Sequence, residues 1–398
     1  MSLIVVVSGL GCGSGENDGK VTIVLGHISD MTGPAATALV PINNALDDLA
    51  RYYNDSDLIP GAELKVHHYD ARYDPSRDRP AWEWLKARGA KVMLTPLPTT
   101  AETLARLSET EETPLWVLAL SDVLLDDPGW TLMANLPAGG LIKTLLKWIS
   151  ENEWDWETKG PAKIGSVGWT EPYAAGCRDA VRDYAQAHPE QFEWVGGYLA
   201  PMGVLTWSAE VEGLKNADFL WAPTTGLGIP TFMNQYLDRG YKTTFIGTDS
   251  NVAYRSLIVD AVGWDRLDGM LITLPTRWWN ETQSPIVSLA LESLEKNRAS
   301  RAQEIKDSGI GYVGSFHQFS AFFEILAAAI NDVGPENFRG ESFYNTAMGF
   351  EAQWDTYEKW DLGPGKPWTW NAVGMYEWNK EAADLVRIDD AWYEAIFE

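Results

Sequence analysis

Residues 91–99 read KVMLTPLPT, and residues 218–225 read DFLWAPTT. Each is a short apolar run with the character of a buried strand, and each opens into a Pro-Thr loop at its carboxyl end. In open α/β sheets that edge of the strands is where ligands bind. Two such segments, well separated in one chain, predict two similar lobes that face each other across a cleft.

The neighbouring sequence repeats the same rhythm on both sides. Around the first segment, strands are expected at 21–27, 63–69, 91–94 and 115–120, alternating with helices at 42–53, 79–87 and 100–107. The first of these helices carries apolar residues at Ala45, Leu46, Leu49 and Ala50, the spacing of one helical face. Around the second segment, strands are expected at 162–169, 194–199, 218–221 and 244–247, with helices at 173–187, 208–215 and 231–237. A βαβα order of this kind gives parallel, doubly wound sheets. The last third adds an apolar helix at 316–331 and strands at 351–354 and 372–377, expected to pair with each other and to complete the two lobes rather than build a third. The expected fold is α/β: two Rossmann-like lobes joined by a hinge of several crossings. The expected division is a tether at 1–19, a first lobe from 20–137 with 276–347, and a second lobe from 138–275 with 348–398.

Composition narrows the function. The 398 residues exceed one ordinary domain. No uninterrupted run of about 18 apolar residues occurs, so no membrane span is expected. The formal net charge of −25 repels phosphate backbones, which argues against a nucleic-acid partner. Twenty Trp serve cores, and could also line a site for apolar or cationic solutes. Five scattered His, with His67 and His68 on opposite faces of a strand, give no metal set. No HExxH, P-loop or Gly-x-Ser-x-Gly motif is present, and Gly226-Leu227-Gly228 lacks the third glycine of a dinucleotide fingerprint. No catalytic set, cofactor or metal is therefore expected. Of the two Cys, Cys177 falls in a helical pattern and reads as a small buried residue, with no disulfide to Cys12 expected.

Residues 3–11 read LIVVVSGLG and lead into Cys12, followed by a polar stretch at 13–18. This resembles the end of a bacterial lipoprotein signal, in which the cysteine is acylated, although no basic residue precedes the apolar run and Gly9 stands where a larger aliphatic is usual. The resemblance implies an extracytoplasmic protein anchored through Cys12.

Along 21–377 the chain resembles the periplasmic solute-binding proteins of branched-chain amino acid (leucine/isoleucine/valine) ABC transporters. The motifs that carry the resemblance are Ser29-Asp30-Met31-Thr32-Gly33-Pro34, Asp70 with Tyr73-Asp74-Pro75, and Thr95-Pro96-Leu97-Pro98-Thr99. They continue as Leu120-Ser121-Asp122, Trp169-Thr170-Glu171-Pro172-Tyr173, Thr206-Trp207-Ser208 and Gly247-Thr248-Asp249, in the family's order. Departures fall at Thr95 and Ala174, where the family has Gly, at Thr99, where it has Ser, and at Pro223-Thr224-Thr225, where it has small residues. These departures bear on the ligand class.

The resemblance implies a Venus-flytrap receptor that closes on an amino acid or a related small amine, amide or carboxylate and docks on a membrane permease. Thr99 and Ser121 would accept the ligand's carboxylate, Asp249 would hold its ammonium, Tyr173 would close over it, and Thr225 would complete the second-lobe wall. Read without the family, Thr99 suits a helix cap and Asp249 an ordinary loop acid. Trp278 and Trp279 are expected to pack the hinge, and His317 to be a satisfied core residue. Two alternatives remain open: a ligand-sensing ectodomain or regulator of the same fold, and a secreted carbohydrate-active enzyme, which would need two acids across a scissile bond.

Overall fold

Short β-branched and apolar runs alternate with amphipathic helices, and the computed structural model, which describes residues 19–119, 122–353 and 359–397, assembles them into two parallel sheets. The first stretch runs β1 (Val21–Ser29), α1 (Ala36–Asp55), β2 (Ala62–Asp70), α2 (Asp78–Lys86), β3 (Ala90–Thr95), α3 (Pro98–Thr110), β4 (Leu115–Val117) and β5 (Thr131–Met133). Its strands pair in the order β2-β1-β3-β4-β5, all parallel.

The second stretch runs α4 (Ala138–Asn152), α5 (Trp156–Lys159), β6 (Ala162–Trp169), α6 (Pro172–Ala187), β7 (Phe192–Ala200), α7 (Ser208–Gly213), β8 (Phe219–Trp221) and α8 (Gly228–Asp238). It continues with β9 (Thr244–Thr248), α9 (Asp249–Val252), α10 (Arg255–Val262), α11 (Trp264–Leu267) and β10 (Leu271–Leu274). The last stretch comprises α12 (Pro285–Arg298), α13 (Ala302–Ser308), α14 (Gly311–Val333), α15 (Gly340–Ala347), β11 (Glu351–Gln353), β12 (Lys359–Asp361), β13 (Ala372–Asn379), β14 (Asp384–Arg387) and β15 (Tyr393–Glu394). The second sheet has the order β14-β13-β10-β9-β8-β6-β7, in which β13 and β14 are antiparallel additions.

The expected α/β fold with two doubly wound sheets is present. One pairing differs from expectation. The strands at 351–354 and 372–377 do not pair with each other: β11 forms a small antiparallel ladder with β12, and β13 adds to β10. The reason is burial. Every residue of β10 is buried, and Val373 to Tyr376 of β13 are buried too, so β13 covers an apolar edge that the largely exposed β11 has no surface to cover. The three-residue strand β5 and the strand β10 lie in stretches the sequence reading assigned to no strand.

In both sheets the chain reverses its winding direction at one point. In the first this lies between β1 and β3, in the second between β6 and β8. Loops at such a switch point diverge to opposite sides and leave a crevice at the carboxyl edge. Helix α14, long and apolar enough by composition to cross a bilayer, is instead buried along most of its length as a core helix packed on α1, α12 and α15. It approaches α1 closely: a Cβ at Gly311 would stand 2.8 Å from the Ala38 carbonyl oxygen, so only glycine fits.

The crossing after β10 is pinned by ion pairs out of water. Glu281 accepts from Arg387 Nη1 at 2.8 Å, from Arg277 Nη1 at 3.3 Å, from the Tyr376 hydroxyl at 2.7 Å and from the Trp278 backbone N–H at 2.7 Å. Trp278 and Trp279 pack this crossing, as expected; their indole N–H groups donate to Asp384 at 3.0 Å and to the Gly309 carbonyl at 2.9 Å. His317 is fully buried on α14 with its Nδ1 3.0 Å from the Val313 carbonyl oxygen, and His67 and His68 face opposite sides of β2, toward Trp84 and His27. Breaking a buried pair leaves uncompensated charge, so Glu281→Ala is expected to cost about 3–5 kcal/mol of stability in urea unfolding; a loss below about 1 kcal/mol would show the network to be incidental.

Candidate functional site

The two crevices meet. A cavity of about 130 Å³ is lined from the first sheet by Ala35 after β1, by Pro96 to Pro98 after β3, and by Leu118 and Ala119 after β4. From the second sheet it is lined by Glu171 and Tyr173 after β6, Thr224 and Thr225 after β8, and Asp249 and Ser250 after β9. Tyr73, Asn135, Tyr254, Thr276 and the start of α14 close the remainder. For scale, an apolar cavity of about 150 Å³ takes up benzene, so the space suits a single ring or a short branched chain.

The loops are held by local capping chemistry. Asp30 accepts from the Ala35 backbone N–H at 2.9 Å and so folds the loop after β1. Pro98 opens α3 at a position where its missing N–H costs nothing. Glu171 caps α6, accepting from Tyr173 N at 2.8 Å, Ala174 N at 2.6 Å and Thr224 Oγ1 at 3.2 Å. Thr248 and Asn251 form a capping box on α9, and Asn251 Nδ2 also donates to the Pro223 carbonyl at 2.7 Å, which ties the loop bearing Asp249 to the loop bearing Thr224 and Thr225.

Two carboxylates therefore share this cavity. Asp249 accepts from Asn135 Nδ2 at 2.8 Å, a bond from the segment after β5 of the first sheet to the loop after β9 of the second, and from the Ser250 backbone N–H at 2.9 Å. Burial raises its pKa against the pull of those donors. Glu171 is only 6% exposed, and burial pushes its carboxyl up to about 7 in spite of three hydrogen bonds that favour the anion. Burial likewise raises the pKa of Tyr73, Tyr173 and Tyr254, so these stay neutral phenols. Among the described residues no Lys, Arg or His lines the cavity. The described residues also hold no cluster of three or more His, Cys, Asp or Glu suited to a metal ion.

Of the residues singled out from sequence, Tyr173, Thr225 and Asp249 come together on this wall. Thr99 does not line it. The helix starts two residues earlier than expected, at Pro98, which places Thr99 inside the first turn and off the cavity wall. Ser121 and Cys12 lie outside the described residues; Cys177 is buried in α6. No tryptophan lines the cavity among the described residues. Sequence reasoning passed over Glu171, Asn135, Tyr73 and Tyr254. A signal existed for Glu171, because an acid directly before Pro reads as a helix cap; Tyr254 and Asn135 carried none.

Comparison with known proteins agrees with this architecture. A family profile described as "Periplasmic binding protein" matches residues 22–358. No curated protein sequence matches the chain. Among solved structures, a branched-chain amino acid ABC transporter protein from Thermus thermophilus with bound valine is 16% identical, with a TM-score of 0.79 over 96% of this chain and 97% of that one. A solute-binding protein of an ABC transporter from R. palustris in complex with 4-hydroxybenzoate is 16% identical, with a TM-score of 0.77 over 94% and 97%. Another from R. palustris, in complex with benzoate, is 12% identical, with a TM-score of 0.75 over 95% and 98%. At these identities the structural likenesses show the fold alone.

The raised pKa of Glu171 has a sign that can be measured. The folded state binds a proton there more tightly than the unfolded chain does, so this contribution to stability is present below the ordinary carboxyl pKa and is lost as pH rises through about 7. Asp249 and Asp78, the latter raised to about 6 by burial, act in the same direction. In urea unfolding of the ligand-free protein, stability is expected to decline from about pH 5 to about pH 8, and Glu171→Gln is expected to flatten that decline. An unchanged slope in the variant would contradict the assignment.

Proposed function

The chain belongs to the periplasmic binding protein family, the type I solute receptors of ABC transporters, and we propose that it captures a small amine-bearing solute between its lobes and presents the closed form to a membrane permease. The observation that supports this reading best is the cavity itself, built mainly from strand-end loops of both sheets, with Asp249 on its wall and no basic side chain beside it among the described residues. An acid withdrawn from water without a cation is costly, and a bound ammonium would offset that cost.

The same geometry gives the mechanism. Closure is favoured only by contacts that exist in the closed form. The lobes, taken as 20–137 with 276–347 and 138–275 with 348–398, touch through several contacts, among them three beside the cavity. Asn135 bonds Asp249, the Ile310 backbone N–H meets the Val252 carbonyl at 3.4 Å, and Gly226 approaches Pro34. A solute that joins Asp249 and Tyr173 on one side to Tyr73 and Leu97 on the other adds to these contacts and selects the closed state.

Membership of the family implies an extracytoplasmic location, and we read Cys12 as its lipid attachment. We read the protein as a receptor and not an enzyme, although Glu171 and Asp249 form an acid pair. Both carboxylates are engaged by backbone donors, which ties them to the folding of their own loops.

A thermal-shift screen of amino acids, amides, aromatic acids and polyamines tests the reading. Ligand at about a hundredfold its Kd stabilises the folded state by roughly 2.7 kcal/mol, which such a screen resolves. Amine-bearing solutes are expected to raise the melting temperature, and Asp249→Asn is expected to abolish the shift; a shift from solutes without an amine alone would end the role of Asp249. A second variant probes closure. A Cβ at Gly226, which has φ +52°, would stand 2.9 Å from the Pro34 carbonyl oxygen in the opposite lobe. Gly226→Ala is expected to weaken binding by about tenfold while leaving the ligand-free fold intact; unchanged affinity would mean that the lobes need not approach there.

A further inference from the structure

We propose that the solute is a small organic ammonium ion that carries no carboxylate, its charge lodged against Asp249 and Glu171 among Tyr73, Tyr173 and Tyr254. This deepens the receptor reading given above and rests on it.

Charge balance is the first ground. Two acids line the cavity, and no basic side chain among the described residues does. The residues outside the described set, 1–18, 120–121, 354–358 and 398, contain no Lys, Arg or His in the sequence. An amino acid would bring an ammonium that the site can neutralise and a carboxylate that it cannot. Whichever of the acids is ionised works against that carboxylate.

The first-lobe wall gives the second ground. A carboxylate could still be held by backbone N–H groups at a helix start. Here the lining residues Pro96 and Pro98 have no N–H, and the Leu97 N–H is already donated to Thr95 Oγ1 at 3.1 Å. Thr99, the hydroxyl next in line, does not line the cavity. Residues 96–98 thus offer no free donor; Ala35, Ala38, Leu39, Leu118, Ala119 and Leu136 surround them with apolar surface, and the polar groups on this side, Asn135, Thr276, Ser315 and Gln318, are neutral. Such a surface holds an apolar body.

The third ground is the aromatic set. The Tyr173 hydroxyl is 3.1 Å from Thr248 Oγ1, and Tyr73 and Tyr254 line the same cavity. These three residues offer ring surface to the cavity, and ring faces attract cations. Buried carboxylates beside tyrosine rings make a cage for an alkyl- or arylalkylammonium group. The neutral groups Ser315, Gln318 and Thr276 remain to orient a hydroxyl or carbonyl on the solute.

Isothermal titration of the purified protein with two matched sets tests this: isobutylamine, valine and isovalerate, and benzylamine, phenylglycine and phenylacetate. Each amine is expected to bind at least about tenfold more tightly than its amino acid, with no heat from either acid. Asp249→Asn should lower amine affinity by about tenfold or more, Tyr254→Phe should retain it, and Tyr254→Leu should lose it, with circular dichroism unchanged in all three. An amino acid or acid that binds as tightly as its matched amine overturns the inference and leaves the receptor reading standing. Absence of binding by every member overturns the inference as well, and the wider thermal-shift screen then decides whether the receptor reading falls with it.

Discussion

Two carboxylates are held out of water in one small space with no basic side chain near them among the described residues, and much of the surrounding structure serves to make that tolerable. Burial alone drives a carboxyl toward its neutral form. Glu171 resists through two backbone N–H groups at the start of α6 and a hydroxyl, and Asp249 through the Asn135 amide and its own helix start. On the proposed reading, the remaining imbalance favours a positively charged guest. A site of this kind is costly when empty and relieved when filled, which is the condition under which a ligand shifts an open and closed equilibrium.

That site exists because each sheet changes winding direction once. The switch points between β1 and β3 and between β6 and β8 open crevices at the carboxyl edges of both sheets, and the crossings after β5 and β10 hold the crevices face to face. The buried Glu281 cluster pins the crossing after β10, and the close packing of α14 on α1 at Gly311 and Ala38 makes a rigid part of the cavity wall. The rest of the wall is made largely by loops, where side chains can vary without disturbing either core.

Much of the fold was legible in the sequence. The alternation of apolar strands with helical periodicity located β1 to β4 and β6 to β9, because buried parallel strands are short apolar runs between turn residues. Strand β5 escaped because TLM is too short to carry a period, and the partner of β13 was misjudged because antiparallel additions at a sheet edge are chosen by which edge is left uncovered, a tertiary fact. The site was legible in part. Asp249, Tyr173 and Thr225 follow strands whose ends the sequence marks. Thr99 was misplaced because the helix starts at Pro98 and carries it off the cavity wall. Tyr254 and Asn135 reach the cavity from helix and hinge positions with no local pattern, so only the packed structure reveals them.

The account stands on a guest seated between the lobes and neutralised by the acids there. A crystal structure of the protein with the solute that stabilises it most is the direct measurement. The account predicts density in the cavity, with a nitrogen atom of the solute within about 3.2 Å of the Asp249 carboxylate and its apolar part against Leu97 and Leu136. Density on an outer surface, or a solute carboxylate turned toward Asp249 and Glu171, would contradict it.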